Sequence, residues 1–270
     1  MDKTICFLLA VLLSGCATIG ATNSPDELAR TLDGAIVAIP ALYLKSEDSS
    51  DRSSALYGYF GELKDDLAKK LKGKKVPLVI YMHGCAGRVD HLPYGEINFL
   101  VDNNYPVLAP DSFARNHKPT SCSPKTRTGG FYRGTLRLRL AEARNAHETA
   151  KTLPWVDQRN IFMMGFSEGG ITTAKYGHGG LAGRIILGWT CHSRWPEYEG
   201  ISGPRDEPIL TVFALGDPWW KGVVSSNCAE YIKSRPNSES ILIDISIHRV
   251  HALREIQEKI LQFLEANRRP

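Results

Sequence analysis

The stretch that decides the fold is Ile161-Phe-Met-Met-Gly165-Phe-Ser167-Glu-Gly169-Gly170. An apolar segment typical of a β-strand runs directly into a Gly-x-Ser-x-Gly motif, and a helix-compatible segment follows over residues 171–175. In a nucleophile elbow, a serine lies on a sharp turn between a strand and a helix, and the flanking glycines avoid a Cβ clash. The pattern makes Ser167 a candidate nucleophile. The alternative is a glycine-rich turn that carries an ordinary surface serine.

Apolar and amphipathic segments alternate on both sides of this motif. Helices are predicted over residues 94–102, 134–153 and 252–267, with a charged helix or linker over 64–75. Strands that alternate with helices are typical of βαβ units and predict an α/β fold with a mostly parallel central sheet and helices on both faces. Strands are predicted over residues 34–40, 76–82, 106–110, 160–165, 184–189, 208–215 and 241–247.

A serine nucleophile needs a base within hydrogen-bond reach and an acid that orients the base. In α/β-hydrolases these residues follow the serine in the chain order Asp or Glu, then His. Asp217 comes directly after one predicted strand, and both His248 and His251 come after the next. We therefore favour Asp217 as the acid rather than as a turn or helix-capping residue. The order alone leaves both histidines open.

Two backbone N–H groups are needed to hold the negative charge that develops during acyl transfer. The residue after the nucleophile, Glu168, is the first candidate. The second is Cys85, in the run His83-Gly-Cys-Ala-Gly87 that follows an early strand. The alternative for this run is a glycine-rich turn without a catalytic role.

The N-terminus has the features of an export signal. Residues 5–13 are apolar but too few to span a bilayer, and Leu13-Ser-Gly-Cys16 follows them. This resembles a bacterial lipobox, which implies a signal peptide over residues 1–16 and a lipid on Cys16. Ala17, rather than Asp, implies an outer-membrane lipoprotein of the bacterial cell envelope that faces the periplasm. The alternative is a simple cleaved secretory signal; both alternatives export the protein. A tether over 17–33 and a single domain over 34–270 are expected to follow.

The formal charge of +4 is spread along the chain, and no basic stripe with interleaved aromatic residues indicates a nucleic-acid partner. Beyond the signal segment the chain has an even number of cysteines, which suggests disulfides in an exported protein. These four cysteines allow three pairings, and no Cys/His spacing fits a metal site. They are Cys85, Cys122, Cys191 and Cys228.

Residues 111–133 lack periodicity, so they are a candidate lid or binding loop. This loop carries several cationic residues, which include Arg115, Lys118 and Arg127. We favour a solvated basic loop over a lid that recognises an anion. Trp219 and Trp220, beside Asp217, either form the wall of an apolar acyl pocket or pack in the core.

Together, these motifs resemble the dienelactone hydrolase family of α/β-hydrolases. The resemblance rests on the runs around His83, Ser167 and Asp217, and also on Ala109-Pro-Asp-Ser-Phe113 and His251-Ala-Leu253. Members carry a His-Ala-Phe-like tripeptide at the catalytic histidine, which implies His251 rather than His248. Many members have a cysteine nucleophile; the serine of this chain implies a general serine esterase. Related exported members also imply the disulfides Cys85–Cys122 and Cys191–Cys228.

The resulting prediction is a serine hydrolase of carboxylic esters, lactones or thioesters with the catalytic residues Ser167, Asp217 and His251. Its partners are a small-molecule acyl substrate and a membrane, through the lipid on Cys16, and no cofactor is implied. Two alternatives remain open: a serine peptidase of the same fold that acts on short peptides, and a non-catalytic envelope lipoprotein that binds a ligand.

Overall fold

The structure is a computed structural model that describes residues 20–44, 54–87, 97–193, 195–220 and 227–270. The predicted signal peptide, the lipidation site Cys16 and the first residues of the predicted tether lie outside these ranges. Within them, no helix combines the length and the apolar character that crossing a membrane requires.

A central sheet of eight strands in the described residues organises the fold, in the order β10-β9-β8-β7-β3-β4-β1-β2. The six strands from β10 to β4 run parallel. β1 runs antiparallel to both β4 and β2, and β5 pairs with β6 in a separate hairpin. The strands are β1 (Ile36–Ile39), β2 (Leu56–Tyr59), β3 (Val76–Met82), β4 (Val107–Ala109), β5 (Cys122–Ser123), β6 (Thr128–Gly129), β7 (Val156–Phe166), β8 (Gly183–Leu187), β9 (Ile209–Ala214) and β10 (Glu239–Ile243).

Helices cover both faces of the sheet. Side chains alternate between the two faces of β3, so that Tyr81 packs with α4 and α8, whereas Ile80 packs with α3 and α5. All seven residues of β3 are buried, and the strand has no polar face, as is typical of a parallel sheet that is covered on both sides. The predicted α/β fold is confirmed. The helices are α1 (Pro25–Asp33), α2 (Ala41–Leu44), α3 (Phe60–Lys70), α4 (Asn98–Asp102), α5 (Thr135–Thr152), α6 (Glu168–Lys175), α7 (Ala229–Ile232) and α8 (Arg254–Ala266).

The N-terminal boundary of the domain differs from the prediction. Residues 17–33 were expected to be a tether, but α1 occupies most of that range and packs against α5. Ser24 caps this helix through a hydrogen bond from the Glu27 N–H, and Pro25 takes the first helical position. The Glu27 carboxylate in turn accepts from the backbone N–H of Asn116 at 3.1 Å. These contacts make α1 a part of the domain.

The carboxyl ends of four parallel strands carry the predicted site. The loop of Cys85 follows β3, Ser167 follows β7, Asp217 follows β9, and His248 lies in the segment after β10. Since the carboxyl ends of parallel strands lie at one edge of a sheet, residues far apart in the chain meet there.

Candidate active site

Ser167 lies on the turn between β7 and α6, with φ 56° and ψ −117°. This conformation is sparsely populated for a residue with a side chain, and it turns the serine out of the strand. The glycines on either side are required by close backbone contacts. A Cβ on Gly165 would lie 2.0 Å from the Gly169 oxygen, and a Cβ on Gly169 would lie 1.8 Å from the Met82 oxygen. The predicted elbow is therefore present.

A continuous chain of hydrogen bonds joins Asp217, His248 and Ser167. His248 Nδ1 lies 2.6 Å from Asp217 Oδ2, and His248 Nε2 lies 2.9 Å from Ser167 Oγ. The other oxygen of Asp217 accepts from the Trp219 N–H at 2.9 Å, which orients the buried carboxylate. With Asp217 on Nδ1, the lone pair of Nε2 faces the serine hydroxyl, as in a Ser-His-Asp triad.

His251 is not part of this chain of hydrogen bonds. The prediction of His251 rather than His248 as the catalytic histidine is therefore corrected. β10 ends at Ile243, and the path of residues 244–249 brings His248, not His251, over the serine. His251 lies in the turn that leads into α8, where it is 3% exposed and packs edge-on against Phe166 at 4.7 Å. The His-Ala-Leu tripeptide is thus part of a buried turn.

Two aromatic side chains hold the ring of His248. The ring of Trp219 stacks on it at 5.2 Å, and the ring of Phe166 contacts it at 4.7 Å. The sequence left two roles for Trp219, the wall of a pocket or packing in the core. The structure places it in the wall of the cavity beside Ser167.

Both candidate oxyanion donors lie beside Ser167. A Cβ on Gly84 would be in van der Waals contact with the Ser167 side chain at 3.4 Å, so the Cys85 loop passes directly over the serine. Glu168 is the first residue of α6, and the N–H groups of a first helical turn have no acceptor within the helix. The role of these two N–H groups stays a prediction.

Both predicted disulfides are present. Cys85–Cys122 joins the loop after β3 to the β5–β6 hairpin, and Cys191–Cys228 joins the segment after β8 to the residue before α7. Several residues of the range 111–133, among them Ser121, Arg127 and Gly130, line the space beside Ser167.

No protein-family model matches this sequence, and no curated protein matches it. Solved structures do match it. A carboxylesterase of Bacillus cereus aligns with a TM-score of 0.52 and 16% identity, over 72% of this chain and 89% of that one. Est1E of Butyrivibrio proteoclasticus, with ferulic acid bound, aligns with a TM-score of 0.51 and 17% identity, over 73% and 91%. A Klebsiella pneumoniae protein described as a dienelactone hydrolase aligns with a TM-score of 0.50 and 14% identity, over 72% and 88%.

The chain has the α/β-hydrolase fold. The predicted fold and the resemblance in the motifs therefore agree with the three-dimensional similarity.

Beneath the site of this α/β-hydrolase fold lies a buried ionic cluster that sequence reasoning missed. Arg115 and Arg139 both pair with Glu142, at 2.8 and 3.1 Å, and the side chains of all three have no exposed surface. Ser112 Oγ donates to the same carboxylate at 2.6 Å. Arg115 was expected in a solvated loop, so that expectation is wrong for this residue. Arg139 and Glu142 share one face of α5, and this i,i+3 spacing of opposite charges was the available signal.

Arg139 also supports the loop that carries Cys85. Its Nη2 donates to the His83 carbonyl at 2.6 Å, and its Nη1 lies 2.9 Å from His83 Nε2. The Ser112 N–H donates to the same ring nitrogen at 3.1 Å, so Nε2 is an acceptor and Nδ1 carries the proton. The Nδ1–H then donates to the Gly84 carbonyl at 2.7 Å.

The side chain of Glu168 connects this cluster to the elbow. Its Oε1 lies 3.8 Å from Arg139 Nε, and its Oε2 accepts a hydrogen bond from Ser121. Burial raises the pKa of this carboxyl, against the opposing effects of Arg139 and of the Ser121 hydrogen bond. Arg139 therefore contacts both the loop of one candidate oxyanion donor and the side chain of the other.

Two cavities open from Ser167, and His248, Trp219 and Cys85 line both of them. The larger, of about 540 Å³, extends past Gly84 towards Arg127 and Arg249. The smaller, of about 310 Å³, extends past Glu168 between aromatic side chains. Together the two cavities leave room beside the serine for the two halves of an ester.

Proposed function

We propose that this chain is a serine hydrolase of carboxylic esters, lactones or thioesters that acts through an acyl-enzyme on Ser167. The observation that carries the proposal is the hydrogen-bond chain from Asp217 through His248 to the strained elbow serine. The carboxylesterase of Bacillus cereus and Est1E share the fold, which supports ester hydrolysis but does not identify the substrate.

In the proposed reaction, His248 accepts the proton of Ser167 as the hydroxyl oxygen attacks the acyl carbon. Asp217 orients the imidazole and stabilises its cationic form. The N–H groups of Glu168 and Cys85 bind the oxyanion. His248 then protonates the leaving group as its bond to the acyl carbon breaks. In the second half of the reaction, His248 takes a proton from water as the water oxygen attacks the acyl-enzyme, and then returns the proton to Ser167 as the acid leaves.

The proposal includes export and a lipid on Cys16 that anchors the domain in the outer membrane, on its periplasmic side. The lipobox-like run before Cys16 supports this localisation, and two disulfides suit an oxidising compartment. Metabolic labelling with a palmitate analogue would test it. Label on the wild type but not on Cys16→Ser is expected, and label on both would contradict the assignment.

A fluorophosphonate probe tests the nucleophile directly, because it reacts with an activated serine and reports no substrate preference. We expect labelling of the wild type at Ser167, found by peptide mapping, and none of Ser167→Ala. Ser123→Ala is the matched control, since this serine lies in the neighbouring hairpin and lines neither cavity. An unlabelled wild type that is folded would favour the binding-protein alternative.

A further inference from the structure

The residues that precede α1 are held against the domain at two places. The Arg115 guanidinium donates to the carbonyl of Thr22 and to Asn23 Oδ1, the latter at 3.2 Å. Asn23 Nδ2 donates to the carbonyl of Arg137 at 3.2 Å. The start of the described chain therefore contacts both ends of the segment that runs from one of these arginines to the other.

A short piece of chain separates these contacts from the proposed lipid. Cys16 precedes Gly20 by four positions, and an extended chain spans at most about 3.6 Å for each residue. The backbone at Gly20 packs directly against the ring of His117, because a Cβ there would lie 2.6 Å from the ring. A lipid on Cys16 would therefore hold Gly20, with His117 against it, within about 15 Å of the membrane.

The segment between the two contacts, residues 115–137, contains no aspartate or glutamate. We call it the basic segment. Two of its cations are already paired, Arg115 with a buried glutamate of α5 and Arg133 with Glu197 at 2.6 Å. The other four cations are exposed: Lys118, Lys125, Arg127 and Arg137.

The carboxylates that hydrogen-bond to the basic segment are engaged with other residues of the segment than these four cations. Glu27 accepts from Asn116, Glu142 from Arg115, Glu168 from Ser121, and Glu197 from Arg133. The exposed surface of the segment therefore carries net positive charge, which attracts anions.

Two neighbouring aromatic residues add exposed apolar surface to the basic segment. Phe131 is 49% exposed and Tyr132 is 40% exposed. The N–H of Phe131 donates to the Ser121 carbonyl at 3.0 Å, which fixes the pair beside the β5–β6 hairpin. Aromatic rings next to basic side chains are typical of surfaces that lie in the headgroup region of a bilayer.

We propose that the basic segment docks on the headgroups of anionic phospholipids, in the membrane that holds the lipid of Cys16. Its four exposed cations bind the phosphate groups, and Phe131 and Tyr132 enter the headgroup layer. The inference rests on the lipid anchor of the proposed function, which keeps the segment close to the membrane. Because Arg127 and Tyr132 also line the cavities beside Ser167, docking brings residues of the cavity walls into contact with lipid.

Hydrogen–deuterium exchange of the wild-type protein on vesicles tests the docking. One set of vesicles is phosphatidylcholine, and the other is an equal mixture of phosphatidylcholine and phosphatidylglycerol. A basic residue near an anionic leaflet strengthens binding about five-fold. We therefore expect the amides of residues 125–133 to exchange at least about five-fold more slowly on the anionic vesicles, and the difference to shrink at high salt.

Three results would overturn the proposal. Exchange of residues 125–133 that is equal on the two kinds of vesicle would show that the lipid alone holds the protein. Slower exchange confined to another surface would show that a different face docks. Slower exchange with dissolved polyglutamate, but not on the anionic vesicles, would identify an acidic polymer as the partner.

Charge variants locate the surface. The first triple variant removes three exposed cations of the basic segment and should lose the difference between the vesicles: Lys118→Gln, Lys125→Gln and Arg127→Gln. The matched control removes three exposed cations at the end of α3, on the edge of the sheet opposite to Ser167, and should keep the difference: Lys69→Gln, Lys70→Gln and Lys72→Gln. A difference that survives the first variant, or that the control also removes, would contradict the assignment.

The docking surface and the lipid anchor fail in different ways. Palmitate label on Cys16, together with equal exchange on both kinds of vesicle, would reject the surface alone. Absence of the label, together with exchange that added anionic vesicles slow, would reject the anchor alone. Neither result depends on hydrolysis, so the reaction of Ser167 with the fluorophosphonate probe tests the enzyme separately.

Discussion

The path of the backbone between β10 and α8 decides which of His248 and His251 reaches Ser167. The order of residues in the sequence does not reveal this path. Both rings pack against Phe166 with centroids 4.7 Å away, yet His248 hydrogen-bonds to Ser167 and His251 lies buried in the turn. Ser167 and Asp217 could be predicted because each follows its strand directly. The histidine follows its strand after several residues, and the backbone geometry of those residues decides which ring reaches the serine.

The two histidines predict opposite outcomes for matched substitutions. His248→Ala should lower kcat/KM for 4-nitrophenyl acetate at least about a thousand-fold, because the base of the triad is lost. His251→Gln should keep most of the turnover, because its ring packs against Phe166 and does not reach Ser167. Steady-state kinetics of both variants, with thermal unfolding to verify that each is folded, would measure this difference.

Added imidazole provides a further check on the same residue. It should partly restore turnover to His248→Ala, since the free base can enter the cavity beside Ser167, and it should leave His251→Gln unchanged. A large loss of turnover in folded His251→Gln, with His248→Ala nearly unaffected, would reverse the assignment.

At the scale of the elements, hydrophobic patterns predicted the central strands and α5 well. β3, β8 and β9 are buried along their whole length, and β7 is buried from Asn160 to Phe166, so these stretches are largely apolar. α1 was missed because its charged sequence suggests a solvated segment, although Ser24 and Pro25 signal a helix start. β2 was missed because its four residues are partly exposed at the edge of the sheet and have no clear alternation.

α5 acts on the site through Arg139, which is a positioning residue. Arg139→Lys removes the planar fork that bonds the His83 carbonyl and ring together, so the Cys85 loop should shift relative to Ser167. Displacements of about 1 Å in such sites cost up to about a hundred-fold in rate. We expect kcat to fall about ten- to a hundred-fold with KM for 4-nitrophenyl acetate little changed.

Arg144→Lys is the control, because this arginine lies on the exposed side of the same helix. It should keep the wild-type kcat. A merely structural role for Arg139 would instead lower the amount of folded protein and leave kcat per labelled active site unchanged. Active-site titration with the fluorophosphonate probe separates these results.

For the whole molecule, the two disulfides offer a comparison in which chain entropy is equal. Each joins cysteines separated by 37 positions. In the chain-entropy model, a disulfide that closes a loop of this length stabilises the fold by about 2–4 kcal/mol, because it lowers the entropy of the unfolded chain. The double variants Cys85→Ala/Cys122→Ala and Cys191→Ala/Cys228→Ala should therefore lose similar free energies of unfolding in urea.

Their activities should differ. Only Cys85–Cys122 joins the loop over Ser167, so its removal should lower kcat about ten-fold or more under conditions in which both variants remain folded. The second variant should keep its turnover of 4-nitrophenyl acetate. Equal kcat values for the two variants would show that the first disulfide stabilises the fold without positioning the loop that carries Cys85.

The disulfide pairing could be predicted from the motif resemblance, whereas the number of cysteines alone left three arrangements open. Lipidation of Cys16 stays a prediction, because this residue lies outside the described ranges. Only the Arg139–Glu142 pair of the ionic cluster had a signal in the sequence, its i,i+3 spacing. The contacts from α5 to the loops after β3 and β4 could not be predicted, because only the fold brings these residues together.

Under the proposed function, the Cys85–Cys122 bond would make ester hydrolysis depend on the redox state of the surroundings. A newly made chain in a reducing cytosol would lack this bond, and non-covalent contacts alone would then hold the loop that carries Cys85. If the protein is exported as we propose, such a chain would be a latent hydrolase until the disulfide forms outside the cytosol. The cysteine pair would then serve the cell as a delayed-activation device, with the arrival compartment as its trigger.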